Sequence, residues 1–318
     1  IASCLVGSEM CIRDSYYTVY PTIIQGVNAV SVFIGQSVYV AMVTMKVVFL
    51  GFDLLSFYFL KKLLNNFQKN PKQVYWFWLC PLVILEFLGN LHHECIMIAF
   101  LLGSIWFLKD NRIVWSALSL ALAIFTKLTP LLFVPFFVLS LSLNRAFIFT
   151  VTLFTSCFFL SYPMYYNDGY LYLFKSIQLY FGVFEFNSSL YYLSRFGDWL
   201  WIDFKWIYKG LVMLSMGSWL LHWYKKGFDI VIGIAIVYLI YLISAQSVHP
   251  WYILPLLPMF LLNGLPRYYI LWLVLIPLTY ITYIQESYEQ VIWVNILEYL
   301  AIIIVGVVFR NRRGRFLG

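Results

Sequence analysis

Residues 75–108 read YWFWLCPLVILEFLGNLHHECIMIAFLLGSIWFL, in which two long apolar runs flank the short polar cluster NLHHE at 90–94. Such runs are typical of helices that satisfy their own backbone hydrogen bonds inside a lipid bilayer. The same alternation continues along the 318 residues, which are 63% hydrophobic and only 11% charged. The sequence therefore predicts an all-α fold, a polytopic transmembrane helical bundle.

The apolar runs divide the chain into about eleven predicted membrane helices. Their expected bounds are 37–60, 75–88, 95–108, 113–127, 129–143, 146–162, 206–223, 228–244, 250–264, 267–284 and 290–309. Several are shorter than the ~20 residues of a straight span, so they either extend into their polar flanks or pair as re-entrant hairpins. A weakly amphipathic stretch ahead of them, at 22–35, is predicted to lie along the membrane surface.

The basic residues indicate which side of the membrane each loop faces. Six loops carry 14 of the 21 Lys and Arg residues, namely 61–72, 109–112, 144–145, 224–229, 265–269 and 310–318. Alternating helices place all six on one side, which the positive-inside rule makes cytoplasmic together with the C-terminus. These cations are scattered between apolar runs and form no basic stripe. The net charge of +7 therefore does not indicate binding of nucleic acid. The expected partner is the lipid bilayer, as the apolar composition indicates.

Most polar residues of chemical interest fall on the opposite, extracytoplasmic side. In sequence order they are His92, His93, Glu94, Lys127, Asn187, Arg195 and His249. A transporter is expected to keep such groups near the bilayer midplane, so this distribution favours a site at the outer membrane surface. Structural interpretations stay open, because Lys127 can extend to the interface, Arg195 can be an ordinary loop charge and His249 can simply begin a helix.

No metal site is predicted. The consecutive residues His92, His93 and Glu94 cannot direct three ligands to one face of a helix, and the cysteines have no metal-binding or disulfide spacing. Glu94 is better interpreted as an acid–base group or as a group that binds a hydroxyl. The residues point to no cofactor and leave a dependence on divalent metal undecided.

A few charged residues are expected inside the membrane. Lys46 and Asp53 are seven residues apart, so they share one helix face about 10 Å from each other. They form either a relay or ion site, or separate pairs with neighbouring helices, and the second interpretation also applies to Glu86 and Glu298. The first interpretation keeps a transporter or lipid flippase open as an alternative function.

Five segments, taken in order, resemble the glycosyltransferase-C superfamily of integral membrane enzymes, in particular its polyprenyl-phosphate-mannose-dependent mannosyltransferase branch. They are Tyr20-Pro21, WLCPLVILEFLGNLHHE at 78–94, TKLTPLLFVPFF at 126–137, FEFNSSLYYLSRF at 184–196 and VHPWYILPLLP at 248–258. The resemblance covers essentially all of 16–309. It departs at Thr22, which follows Tyr20-Pro21 where the family has a second proline.

The resemblance implies transfer of a hexose, expected to be mannose, from a polyprenyl-phosphate donor to a glycan or glycolipid acceptor on the extracytoplasmic side, with inversion at the anomeric carbon. A bacterial inner membrane is the expected location. Cations would hold the departing phosphate, and Lys127, Arg195 and His249 are assigned that role. The residues expected to bind substrate are His92, His93, Asn187, Trp251 and Tyr252.

The N-terminal residues are expected not to belong to the protein. LVGSEMCIRDS at 5–15 matches the translation of a DNA library adapter, so 1–15 is interpreted as an artefact and 16–318 as one domain that lacks its first helix and first outer loop. Because the resemblance places the main catalytic carboxylate in that loop, Glu94 is a candidate but not the sole base, and the chain as printed is expected to be inactive. A non-catalytic membrane scaffold subunit is the remaining alternative.

Overall fold

The computed structural model describes residues 18–195, 204–284 and 291–310, so the adapter-like residues 1–15 lie outside the described residues. The described residues form helices joined by turns, with one isolated bridge between Phe186 and Ser247. The predicted all-α fold is therefore confirmed. The chain divides into two compact units, Ile1–Val183 and Phe184–Gly318, here called the N-terminal and C-terminal units. The prediction that 16–318 form a single domain stays a prediction.

The helices of the N-terminal unit follow the predicted segments closely. They are α1 (Thr22–Gly35), α2 (Val38–Asn66), α3 (Val74–Trp78), α4 (Pro81–Ile84), α5 (Glu94–Lys109), α6 (Ile113–Thr126), α7 (Val134–Leu139), α8 (Leu143–Ser161) and α9 (Gly169–Val183). The bounds of α1 are those predicted for the amphipathic stretch. Helix α9 lies between the predicted helices 146–162 and 206–223, where the sequence was expected to form one long extracytoplasmic loop, so that expectation is wrong at Gly169–Val183.

The C-terminal unit continues the pattern. Its helices are α10 (Phe204–Lys226), α11 (Ile230–Ser244), α12 (Leu256–Asn263), α13 (Arg267–Leu275) and α14 (Ile292–Arg310). Turns of 3₁₀-helix at Pro250–Ile253 and Ile276–Ile284 precede α12 and extend α13. Helix α11 packs against α10 and α12, and α13 packs against α14.

Fewer helices have the length and composition of a membrane span than the eleven segments predicted. Among the described residues, four qualify: Val38–Asn66, Leu143–Tyr165, Arg267–Ile284 and Ile292–Phe309. A fifth qualifies if the bent pair Pro81–Gly89 and Glu94–Lys109, which turns through 116°, counts as one span. Shorter apolar helices, such as Ile113–Thr126 and Thr129–Leu139, account for most of the difference.

Local chemistry explains where several of these helices begin. The Ser37 side chain accepts a hydrogen bond from the Val40 amide and caps α2, and Asp229 does the same for α11 through Val231. Proline occupies the first turn at Pro81, where its missing N–H would have had no partner.

An antiparallel hairpin of α5 and α6 forms the core of the N-terminal unit. The Ser104 hydroxyl donates to the Ser116 carbonyl at 2.8 Å, and the Ser116 hydroxyl donates to the Ser104 carbonyl at 2.8 Å. Small polar residues let apolar helices approach closely and bind each other. Helix α2 packs on this hairpin, with the Phe59 ring against Gly103. The hairpin fixes which ends of α5 and α6 lie side by side.

Candidate functional site

The polar cluster at 90–94 folds into a turn organised by a buried glutamate. Glu86 lies in a single π-helical turn, Leu85–Gly89. Its carboxylate accepts a hydrogen bond from the Asn90 side chain at 3.1 Å, and its backbone carbonyl accepts one from the His92 backbone amide at 2.9 Å. The His92 ring lies 3.4 Å from the same carboxylate. A π-turn inserted next to a polar cluster is a frequent feature of functional sites. His92 is therefore directed at Glu86.

Glu94 and Lys127 form a buried ion pair at the open end of the α5–α6 hairpin. Glu94 is the first residue of α5 and Lys127 directly follows α6, so the hairpin brings together residues 33 apart in sequence. The Lys127 ammonium donates to Oε1 of Glu94. A carboxylate at a helix N-terminus and a cation at a helix C-terminus are each favoured by the helix dipoles. The Glu94 side chain is fully buried, whereas that of Lys127 is 15% exposed.

Beside this ion pair, three buried polar atoms have no hydrogen-bond partner in the part of the chain that the structure describes. They are Oε2 of Glu94 and both ring nitrogens of His93. The His93 ring packs between Tyr20, at a centroid distance of 4.7 Å, and Phe49, at 5.4 Å. Buried polar atoms normally have partners. This group therefore has the capacity to bind hydroxyl groups of a ligand.

The charges around this turn are set by burial. Burial lowers the pKa of Lys127, and Glu94 opposes that change through its charge and hydrogen bond. Burial, followed by the charge of Lys127, lowers the pKa of His93 to about 3. His93 is therefore neutral at neutral pH, with one ring nitrogen able to donate a hydrogen bond and the other able to accept one.

In the C-terminal unit, the segment 184–189 (FEFNSS) lies against the segment 243–248. The Phe186 amide donates to the Gln246 carbonyl at 3.2 Å, and the Val248 amide donates to the Phe186 carbonyl at 2.7 Å. The Ser188 hydroxyl donates to the Gln246 carbonyl at 2.7 Å. Two of the segments that carry the family resemblance, separated by a helical hairpin, therefore meet through backbone hydrogen bonds.

His249 lies in a stack of aromatic rings. The rings of Phe186 and Trp251 flank it, each at a centroid distance of 4.4 Å and tilted by 20° and 5°. Tyr252 meets it edge-on at 5.2 Å, and the Tyr283 hydroxyl lies 3.4 Å from Nδ1. His249 is only 5% exposed. The predicted substrate-binding residues Trp251 and Tyr252 thus pack against a predicted donor-binding residue.

Asn187 is buried and bonds to a membrane helix. Its side-chain amide donates to Glu298 on α14, at 3.2 Å from Oε1 and 3.4 Å from Oε2. Its backbone carbonyl accepts a hydrogen bond from the Tyr299 hydroxyl at 2.8 Å. The Trp272 indole N–H on α13 donates to the same Oε1 at 2.7 Å. Glu298 therefore pairs with neighbouring elements, as expected for an intramembrane carboxylate.

The other predicted residues are placed as follows. Arg195 ends the 3₁₀ turn Leu190–Arg195 of the C-terminal unit. Lys46 and Asp53 lie on α2, and Asp53 is buried and hydrogen-bonded by the Trp78 side chain rather than joined to Lys46 in an ion pair. For Asp53, this favours the interpretation in which it pairs with a neighbouring helix; the pairing of Lys46 stays a prediction. Within the described ranges, no group of three His, Cys, Asp or Glu side chains could hold a metal ion.

Sequence reasoning missed two features of these clusters. The pairing of Glu94 with Lys127 could have been found, because helices of similar length joined by a short loop must be antiparallel neighbours. The link between Asn187 and Glu298 spans 111 residues and carries no local signal.

These features define a helical membrane protein with a buried carboxylate–ammonium pair at one end of a helical hairpin. Residues 15–143 match the family model of the alpha-(1->6)-mannopyranosyltransferase N-terminal domain, the MptA_B family. That range contains His92, His93, Glu94 and Lys127, whereas Arg195 and His249 lie beyond it. The match supports a mannosyltransferase-like membrane protein and, in general terms, the transfer of mannose. A comparison with curated proteins found no match.

Proposed function

We propose that this protein transfers mannose from a polyprenyl-phosphate donor to a glycan or glycolipid acceptor at the extracytoplasmic surface of a membrane. The observation that carries the proposal is the buried Glu94–Lys127 pair beside unpartnered polar atoms, inside the range that matches the mannosyltransferase model. The basic loops of the sequence favour a cytoplasmic C-terminus and therefore an outward-facing site.

In the proposed reaction the acceptor hydroxyl attacks the anomeric carbon of the donor sugar. The bond from that carbon to the phosphate oxygen breaks, the oxygen leaves with the electron pair as polyprenyl phosphate, and a carboxylate takes the acceptor proton. The ammonium of Lys127 supplies positive charge where the phosphate charge grows, and Arg195 and His249 are proposed to assist it. Oε2 of Glu94 accepts a substrate hydroxyl, and His92, His93, Asn187, Trp251 and Tyr252 are proposed to contact the sugars.

Donor binding at Lys127 competes with the existing ion pair. Glu94 already occupies the ammonium, so an anionic donor must displace or share that contact. Glu94→Gln should therefore lower KM for the donor, because the neutral amide competes less well for Lys127. It should also lower kcat, because the charged oxygen available to a substrate hydroxyl is lost.

The test is a transfer assay in proteoliposomes that contain radiolabelled polyprenyl-phosphate mannose and a glycolipid acceptor, with the protein expressed from its complete gene. Lys127→Ala, Arg195→Ala and His249→Ala should each reduce transfer, by about 10²-fold where a contact to the leaving phosphate is lost. Lys62→Ala, at an exposed lysine on α2, is the matched control. Wild-type rates for all three site variants would exclude the donor-site assignment. The chain as printed, assayed in parallel, tests the expectation that it is inactive.

The same preparation separates the enzyme from a transporter. A transporter that uses the intramembrane charges should lose transport activity with Lys46→Ala and Asp53→Asn but keep it with Lys127→Ala. The proposed transferase should show the opposite pattern, with product formed by the first two variants and not by the third.

A further inference from the structure

We infer that Glu298 is a positioning residue for His249: its buried carboxylate fixes the segment 184–189, on which the His249 ring rests. The role given to His249 in donor binding rests on the proposed function. The positioning itself rests only on contacts within the C-terminal unit.

The first step is the anchor. Glu298 is 1% exposed, on a helix with the length and composition of a membrane span, and a carboxylate in that setting is costly unless it is well bonded. Trp272 and Asn187 both donate to it. The neighbouring Tyr299 hydroxyl holds the Asn187 carbonyl. Two consecutive residues of α14 therefore hold both the side chain and the backbone of Asn187.

The second step is the segment that Asn187 anchors. Asn187 has a φ of +48°, in the left-handed region that asparagine tolerates better than most residues. The Ser188 and Ser189 hydroxyls bond the Gln246 and Ile243 carbonyls at 2.7 and 2.8 Å. The segment is thus fastened on one side to α14 and on the other to the end of α11 and the residues that follow it.

The third step is the ring itself. Phe186, the residue before Asn187, is bonded through its backbone to Gln246 and Val248 and presents its ring to His249 at 4.4 Å. Ring stacking gives a weak and adjustable contact, so the position of His249 depends on how firmly Phe186 is held. Removing the Glu298 carboxylate should loosen residues 184–189 and expose His249.

The test measures the accessibility of His249 directly. The full protein in lipid nanodiscs is treated with diethyl pyrocarbonate, and carbethoxylation of each histidine is followed by mass spectrometry. In the wild type, the buried His249 should react slowly, while His222, which is exposed on α10, serves as an internal reference in every variant. Glu298→Ala should raise the His249 rate several-fold relative to His222.

Glu298→Gln provides the matched comparison. Both of the shorter bonds to Glu298 end at Oε1, from Trp272 at 2.7 Å and Asn187 at 3.2 Å. A glutamine with its oxygen at that position keeps both bonds, so this variant should restore slow modification. If Glu298→Ala fails to fold, Asn187→Gly serves instead, because it removes the amide while permitting the positive φ, and it should also expose His249.

Kinetics distinguish positioning from general destabilisation. When His249 is present, Glu298→Ala should lower kcat/KM for the donor by up to about 100-fold. When Glu298→Ala is added to the His249→Ala variant, it should lower kcat/KM little further, because both substitutions act through the same ring. A folded Glu298→Ala protein with unchanged His249 modification would overturn the inference. Faster modification with unchanged transfer would uphold the positioning and instead refute the donor role proposed for His249.

Discussion

Removing one partner of the Glu94–Lys127 pair should destabilise the protein by different amounts, depending on which partner is removed. Lys127→Met leaves the carboxylate of Glu94, which is fully buried, without its cation. Glu94→Gln leaves an ammonium on a flexible side chain that is already 15% exposed and can turn towards water. Lys127→Met should therefore be the more damaging change, and Glu94→Gln the milder one.

The size of this loss of stability follows from the cost of leaving one buried charge without its partner. Loss of one partner of a buried ion pair typically costs about 3–5 kcal/mol. The penalty of Lys127→Met should therefore be about 3–5 kcal/mol at pH 7, because a fully buried carboxylate is left without its cation.

Thermal unfolding in nanodiscs, monitored by intrinsic tryptophan fluorescence, measures this difference in stability. In a unit of this size 1 kcal/mol corresponds to about 2–4 °C, so Lys127→Met should lower the Tm by roughly 6–20 °C at pH 7. The double variant Glu94→Gln/Lys127→Met should recover most of that loss, because no unpaired charge remains buried. Equal Tm values for Lys127→Met and the wild type at pH 7, or a double variant no better than Lys127→Met, would refute the buried pair.

Two further predictions concern the N-terminal unit, the second of them with a control in the C-terminal unit. The pKa of His93 is lowered to about 3, so between pH 6.5 and 3 the unfolded chain binds a proton at His93 and the folded chain does not. The wild type should therefore lose stability as the pH falls from 6.5 towards 3. In the same unfolding assay, His93→Phe should lose less stability over this range. Gly103→Ala places a Cβ 2.9 Å from the Phe59 ring and should cost about 1–3 kcal/mol, whereas Gly217→Ala, with open space around its Cβ, should be neutral or slightly stabilising.

The sequence predicts the helices better than their depth in the membrane. The amphipathic segment Thr22–Gly35 is found at the expected residues, because a proline precedes it and polar residues follow it. Helix Gly169–Val183 was missed, because its aromatic residues are interrupted by Lys175 and Gln178 and show neither a long apolar run nor a clear stripe. Eleven apolar runs suggested eleven spans, yet hydropathy does not distinguish a short helix packed inside a protein from one that crosses a bilayer.

The two polar clusters differ in how far sequence reasoning could have reached them. Glu94 and Lys127 flank two apolar runs of similar length, joined by four polar residues at 109–112, so an antiparallel hairpin alone brings them together. Asn187 and Glu298 meet only because α14 packs beside α13 and the segment 184–189 lies against α14. No local sequence pattern indicates this contact. Residues that close a helical hairpin are therefore within reach of sequence analysis, whereas a contact over more than a hundred residues depends on the packing of the whole unit. The phosphate-binding role of Lys127 could be argued from the sequence alone, whereas the positioning role of Glu298 could be inferred only from the fold.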